Sequence, residues 1–200
     1  MSKFDLAYID IKNSSYDGDP KYNVRYSLTL CRHGVHQIGK TAIIILKNPA
    51  STCKSCIFYS TNLQDTYDVD KTTSHIINTL FVNGTTYDKI ITLNLFPYYD
   101  NIPAAINSVY NNLFSTPHIS YNNNLNKMDA IIKNNSGADV FCAWGQASGI
   151  LNSIYDKAIT DVIAILLANN ISSYKYYDQT GQKIAVLNSQ PFYPLHGSKW

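Results

Sequence analysis

Apolar and polar positions alternate with the period of a strand over Phe4–Ile11, where Phe4, Leu6 and Tyr8 oppose Asp5, Ala7 and Ile9. Tyr22–Cys31 alternates in the same way. Three later runs, Thr41–Leu46, Lys89–Leu95 and Val140–Ala143, are apolar on both faces, the pattern of central strands covered by helices on each side. Ser172–Tyr177 and Lys183–Leu187 read as two last strands around the turn Asp178-Gln179-Thr180-Gly181.

Helical spacing fills the intervals. Ile76, Ile77, Leu80 and Phe81 share one face of a helix that Asp70 or Thr72 would cap and Asn83-Gly84 would stop. Pro103 opens a second helix with Ile106, Val109, Tyr110 and Leu113 on its stripe. Leu125–Asn134 is a third. The longest runs from Ala147 to about Asn169, with Ile150, Leu151, Ile154, Ala158, Val162 and Leu166 on one face. Asn13–Pro20 reads as a polar turn, and the stretch from Ala50 to Val69 is aperiodic and long for a connection. Strand and helix alternate along the chain. The expectation is therefore one α/β domain over residues 1–200: three layers, a mostly parallel central sheet, helices on both faces.

That architecture places the chemistry. Open α/β sheets bind ligands just beyond the carboxyl ends of their strands, beside helix N-termini. Four strand-like runs end in unusual residues: Asn48-Pro49-Ala50-Ser51, Asn94-Leu95-Phe96-Pro97-Tyr98, Ala143-Trp144-Gly145-Gln146, and Tyr193-Pro194-Leu195-His196. The candidate binding residues are Asn48, Pro49, Ser51, Asn94, Phe96, Tyr98, Trp144, Gly145, Gln146, Tyr193 and His196. Each has a plain alternative. Asn-Pro is a common turn, Trp and Phe are common core residues, and the tyrosines suit a rim. In the functional reading the aromatics stack on a planar ligand, the amides of Asn48 and Gln146 read its edge, and the N–H groups of Ala147 and Ser148 receive an anion or carbonyl.

Charge narrows the partner. The 16 Lys+Arg against 14 Asp+Glu leave a net charge of +2, and only Arg25 and Arg32 are arginines. A nucleic-acid backbone calls for a basic, often Arg-rich face, so nucleic acid is not the expected partner. No apolar run approaches the roughly 20 residues of a membrane span, and the start has no signal-peptide core. A cytoplasmic protein with reduced cysteines is expected. Cys31, His33, His36, Cys53 and Cys56 offer zinc ligands in weak spacings, so no metal and no cofactor is expected. No P-loop, Gly-x-Gly fingerprint or Ser-His-Asp order is present, and no catalytic residue is assigned.

Several of these motifs together resemble domain-of-unknown-function family 1643, of bacteria and phages. Arg25-Tyr26 echoes its opening strand. Leu46-Lys47-Asn48-Pro49-Ala50-Ser51 echoes its Leu-Asn-Pro-Ser turn with one position inserted, and Asp70-Lys71-Thr72 its Asp-x-Thr. Asn94-Leu95-Phe96 and Ala143-Trp144-Gly145 match its most specific parts, and Tyr193-Pro194-Leu195 stands where the family has His-Pro-Leu. The family in turn resembles the uracil-DNA glycosylase superfamily in layout, where an Asp-Pro or Asn-Pro turn and a terminal His motif flank a flipped base. Here the first turn carries Asn48 rather than a carboxylate, and the terminal His is Tyr193, with His196 three residues later.

The expected function is thus binding of a nucleotide- or nucleobase-derived small molecule, without turnover, such as sequestration of a nucleotide signal in a phage setting. The alternative is hydrolysis of an N-glycosidic bond, with Asn48 placing water and His196 or Tyr193 stabilising the leaving base. A third is a protein-interaction module with a Tyr-rich surface. Oligomeric state is left open.

Overall fold

A computed structural model describes residues 15–19, 24–32, 34, 39–49, 71–82, 87–98, 106–108 and 121–199. The expected strand at 4–11, the connection at 50–69, the opening of the Pro103 helix, and Ser51 lie outside them. Among the described residues one seven-stranded sheet forms the frame. Its strands are β1 (Ser15–Asp19), β2 (Val24–Cys31), β3 (Thr41–Leu46), β4 (Lys89–Asn94), β5 (Asp139–Cys142), β6 (Ser173–Asp178) and β7 (Gly181–Val186). Their spatial order is β1-β2-β4-β3-β5-β6-β7. The three apolar runs are therefore neighbours, with β3 between β4 and β5.

The sheet is mixed, which corrects the expectation of a mostly parallel, uracil-DNA glycosylase-like sheet. β4–β3, β3–β5 and β5–β6 are parallel, whereas β1–β2, β2–β4 and β6–β7 are antiparallel. The antiparallel ladders carry more of the paired residues, and β5–β6 joins only through Phe141 and Lys175. The reason is the connections. A parallel pair needs a crossover of a dozen or more residues, while a short turn forces the chain back on itself. β6 and β7 are linked by Gln179-Thr180 alone, and Asp178 Oδ1 accepts from Thr180 N at 2.7 Å to fix that turn. The polar stretch Asn13–Pro20 also differs from expectation: Ser15–Asp19 forms edge strand β1, with a register shift at Asp17/Gly18.

Helices cover both faces. Successive strand residues point to opposite sides. Ile43, Ile45, Leu93, Val140 and Cys142 thus meet α2 (Tyr121–Asn134) and α3 (Asn152–Ala168) through Met128, Ile132, Ile154, Ala158, Val162 and Leu166. Ala42, Ile44, Leu46, Ile90 and Phe141 face α1 (Lys71–Ile77), which continues as a π-helical turn to Val82, through Ile76, Ile77, Leu80 and Phe81. Ile43, Ile44 and Ile45 are 0% exposed. Each such side chain stabilises the fold by about 1.5–3 kcal/mol, so β3 is held from both sides and its ends are rigid points.

Candidate functional site

Beyond its carboxyl end each central strand stays hydrogen-bonded to its neighbour. Leu95 N donates to Leu46 O at 2.8 Å, Phe96 N to Lys47 O at 2.9 Å, and Ala143 N to Ile45 O at 2.9 Å. The C-terminal segment then crosses this end, Gly197 N donating to Ala143 O at 3.1 Å. Gly145 has φ +69°, and a Cβ there would lie 3.0 Å from the His196 Cβ. Only glycine meets both demands, the left-handed backbone and the close approach.

The anchor of the arrangement is Tyr155 on α3. It is fully buried, and its hydroxyl lies 2.9 Å from both Trp144 O and Gly145 O. Burial, with smaller contributions from Tyr193 and Asp156, raises its pKa. Phe96 stacks on the Tyr155 ring at a centroid spacing of 6.2 Å, and Tyr193 stacks on it at 6.2 Å and 12°. The Lys47 ammonium lies 5.6 Å from the same ring centroid. Tyr193 is 47% exposed, and its hydroxyl donates to Asp156 Oδ1, the chief cause of its raised pKa. One ring face is therefore taken, the hydroxyl is fixed, and the outer face is open.

Tyr193 borders a cavity of about 550 Å³ lined by Gln146, Ala147, Ser148, Gly149, Ile150 and Asn152. The sequence places Ala147, Ser148, Gly149 and Ile150 in the first turn of the long helix; the structure does not. Ser148 (φ +51°) and Gly149 (φ +90°) are left-handed, which breaks helical continuity and delays α3 to Asn152. Leu151 precedes it without a side-chain cap, and Asn107 Oδ1 accepts from Leu151 N at 2.9 Å. The loop so released makes the floor of the cavity.

The candidate residues separate into two sets. Gln146 and Tyr193 face the cavity, with Gly145 adjoining it and His196 seated over Gly145. Trp144, Phe96 and Asn94 are 0% exposed. Trp144 Nε1 donates to Phe192 O at 2.9 Å, its ring 4.9 Å from that of Phe192. Asn94 Nδ2 donates to Arg25 O at 3.3 Å, and its main-chain carbonyl accepts from Asn124 Nδ2. Pro49 is buried, Asn48 Nδ2 donates to Pro49 O at 3.2 Å, and Tyr98 bridges Val24. These residues build the end of the sheet rather than line the cavity. His196 Nδ1 lies 2.9 Å from Ser198 Oγ and accepts from Ser198 N at 3.2 Å. Of the zinc-spaced residues only Cys31 is described, buried in β2.

Sequence reasoning missed Tyr155, Lys47, Asp156 and Asn152. Tyr155 adjoins Ile154 on the apolar side of the helix, and a buried tyrosine hydroxyl needs a partner. Lys47 directly follows a fully apolar strand, where a charge leaving the core needs a counterpart.

This end of the sheet thus brings a fixed aromatic platform and the side-chain amides of Gln146 and Asn152 to one cavity. It defines an α/β protein with a ligand-sized recess at the carboxyl end of a mixed sheet. Residues 25–195 match the model of the family described as "Protein of unknown function (DUF1643)", and the chain belongs to that family. No curated protein and no solved structure matches the chain. No described helix is long and apolar enough to cross a membrane.

Proposed function

We propose that the recess binds a nucleobase-bearing small molecule and does not turn it over. The observation that carries this is Tyr193. Its ring rests on Tyr155, its hydroxyl is tied to Asp156, and its open face borders the cavity. A platform held this way loses little entropy when a flat ligand stacks on it. The Gln146 and Asn152 amides beside it supply donors and acceptors for a base edge, and an amide left unpaired by the wrong edge makes that edge costly. Asp156 Oδ1 accepts from Tyr193 and His196 Nδ1 accepts from Ser198 N, so both groups serve to hold the rim of the recess. In a phage-infected or bacterial cytoplasm such a protein would sequester a nucleotide signal.

Thermal shift against the four ribonucleosides and their 5′-phosphates, with chromatography of any compound that binds, tests the reading. Wild type should gain melting temperature with at least one base and return the compound intact. Tyr193→Ala should weaken binding by about 1–3 kcal/mol, the worth of one base–aromatic stack, and leave the fold in place. Absence of any shift, or release of free base, overturns it.

A further inference from the structure

The two outer strands of the described sheet are built differently. β1 is interrupted by the register shift at Asp17/Gly18 and carries Asp17 and Asp19, with Asp17 held by Lys127 at 2.7 Å. Bulges and charges are the usual means of keeping an edge from pairing with another chain. β7 has neither a register shift nor a proline, and Lys183 is its one charged residue. Main-chain groups along an antiparallel strand point alternately to one neighbour and away from it. Leu187 N donates to Ser172 O at 2.9 Å, so Lys183 and Ala185, of the same parity, face β6. The N–H and C=O groups of Gln182, Ile184 and Val186 therefore point away from the sheet. The side chains of these three share one face. Ile184 pairs with Lys175, and Lys175 with Phe141, which puts Ile184 on the face of the sheet that α1 covers further in. Ile184 is 67% and Val186 78% exposed, the two most exposed large apolar side chains among the described residues. Ala185 packs against the opposite, α3 side.

We propose that β7 joins a second copy of this chain, strand to strand and antiparallel, about a two-fold axis at Ile184. A two-fold interface asks one surface to complement itself, and this strand does. With Ile184 opposite the partner's Ile184, Gln182 lies opposite the partner's Val186, so all three outward-pointing residues of each strand meet outward-pointing residues of the other. Such pairs exchange main-chain hydrogen bonds in both directions, and the exposed isoleucines become a cross-strand apolar pair. The charges fit as well. Lys183 then lies opposite the partner's Ala185, whereas an axis at Lys183 would set two lysines face to face. The result is one sheet continuous through both copies, with the charged and shifted β1 edges left outermost.

Sedimentation velocity of the full chain under reducing conditions tests this. Wild type should sediment at twice the chain mass of 22.5 kDa. Ile184→Lys and Ile184→Glu should each sediment as single chains with the circular dichroism of wild type, because an exposed position tolerates a charge but a like-charged pair across the axis does not. An equimolar mixture of the two variants should pair again, since position 184 faces itself. Amide hydrogen exchange supplies a second measurement. The amides of Gln182, Ile184 and Val186 should be slow in wild type and fast in Ile184→Lys, while those of Lys183 and Ala185, bonded to β6, stay slow in both. Wild type that sediments as single chains overturns the proposal. So does a dimer that survives both substitutions, or one in which the amides of Gln182, Ile184 and Val186 exchange as fast as in Ile184→Lys. Variants that stay single even when mixed overturn the axis at Ile184 and with it the proposed pairing.

Discussion

At both ends of the sheet a lysine lies over a tyrosine ring, and the two ends treat that lysine in opposite ways. At the amino end Lys40 sits 5.0 Å and Lys175 5.9 Å from the Tyr87 ring centroid. Asp139, the first residue of β5, collects them: Lys40 at 3.0 Å, Lys175 at 2.7 Å and the Tyr87 hydroxyl at 2.5 Å, all on Oδ2. Burial alone would raise the Asp139 pKa, but the bonds from Lys175, Tyr87 and Lys40 overcome it and hold it down at about 2. Tyr87 is pushed up, by burial first and then by Asp139. At the carboxyl end Lys47 has the ring and no aspartate among the described residues. One end is electrically closed, the other open. A stabilising network satisfies its own charges, as Asp139 does here.

The largest test concerns what underlies the open end. Trp144 was a candidate stacking wall, but it is fully enclosed, so Trp144→Ala should cost about 3–5 kcal/mol of stability in chemical denaturation. Any loss of binding would then track unfolding. A cost below about 1 kcal/mol would mean that the turn over Tyr155 is not packed as described.

Asp139→Asn probes the closed end and should cost about 1–3 kcal/mol at neutral pH, since it leaves two ammonium groups facing one another. The pH dependence has a definite sign. The folded pKa of about 2 lies below the ordinary aspartate value of 3.8, so the stabilisation is full above 3.8 and is lost as pH falls through about 2. Acid denaturation curves of wild type and variant should therefore converge in that window. Curves that stay parallel down to pH ~2 would show that Asp139 is not held by its neighbours. Ligand affinity at the opposite end should not change.

How much of this was legible follows from where the forces act. β3, β4 and β5 were readable within a residue, because strands buried on both faces must be apolar throughout. The turn before β7 was readable because Gly181, at φ +117°, needs a glycine. Strand direction was not. Strand–helix alternation speaks only for strands with a helix between them, and β1–β2 and β6–β7 have none. Helix starts were missed for tertiary reasons. Tyr121-Asn122-Asn123-Asn124 reads as loop, but Tyr121 and Asn124 are buried and Asn124 binds the carbonyls of Asn94 and Leu95. That β3, β4 and β5 end side by side was a matter of topology and was readable. Which aromatic presents an open face depends on how the C-terminal segment crosses the strands, and no local pattern encodes that.

The finest test applies one substitution to both ends. Lys175→Met should lower the melting temperature, because it strips Asp139 of a 2.7 Å partner while the carboxylate stays partly buried. Lys47→Met should do the reverse. Burial sets the folded pKa of Lys47 below the ordinary lysine value of 10.5, so near neutrality the unfolded chain holds that proton more tightly and the charge works against folding. Wild-type stability should therefore gain from this group as pH rises through the lowered folded pKa toward 10.5. Methionine keeps most of the apolar stem and removes the charge, at the loss of a cation–π contact worth about 0.5–1 kcal/mol at an exposed site. The variant should melt above wild type at pH 7, and the gap should narrow toward alkaline pH. If Lys47→Met instead lowers the melting temperature as Lys175→Met does, the carboxyl end is as closed as the amino end and the distinction between them fails.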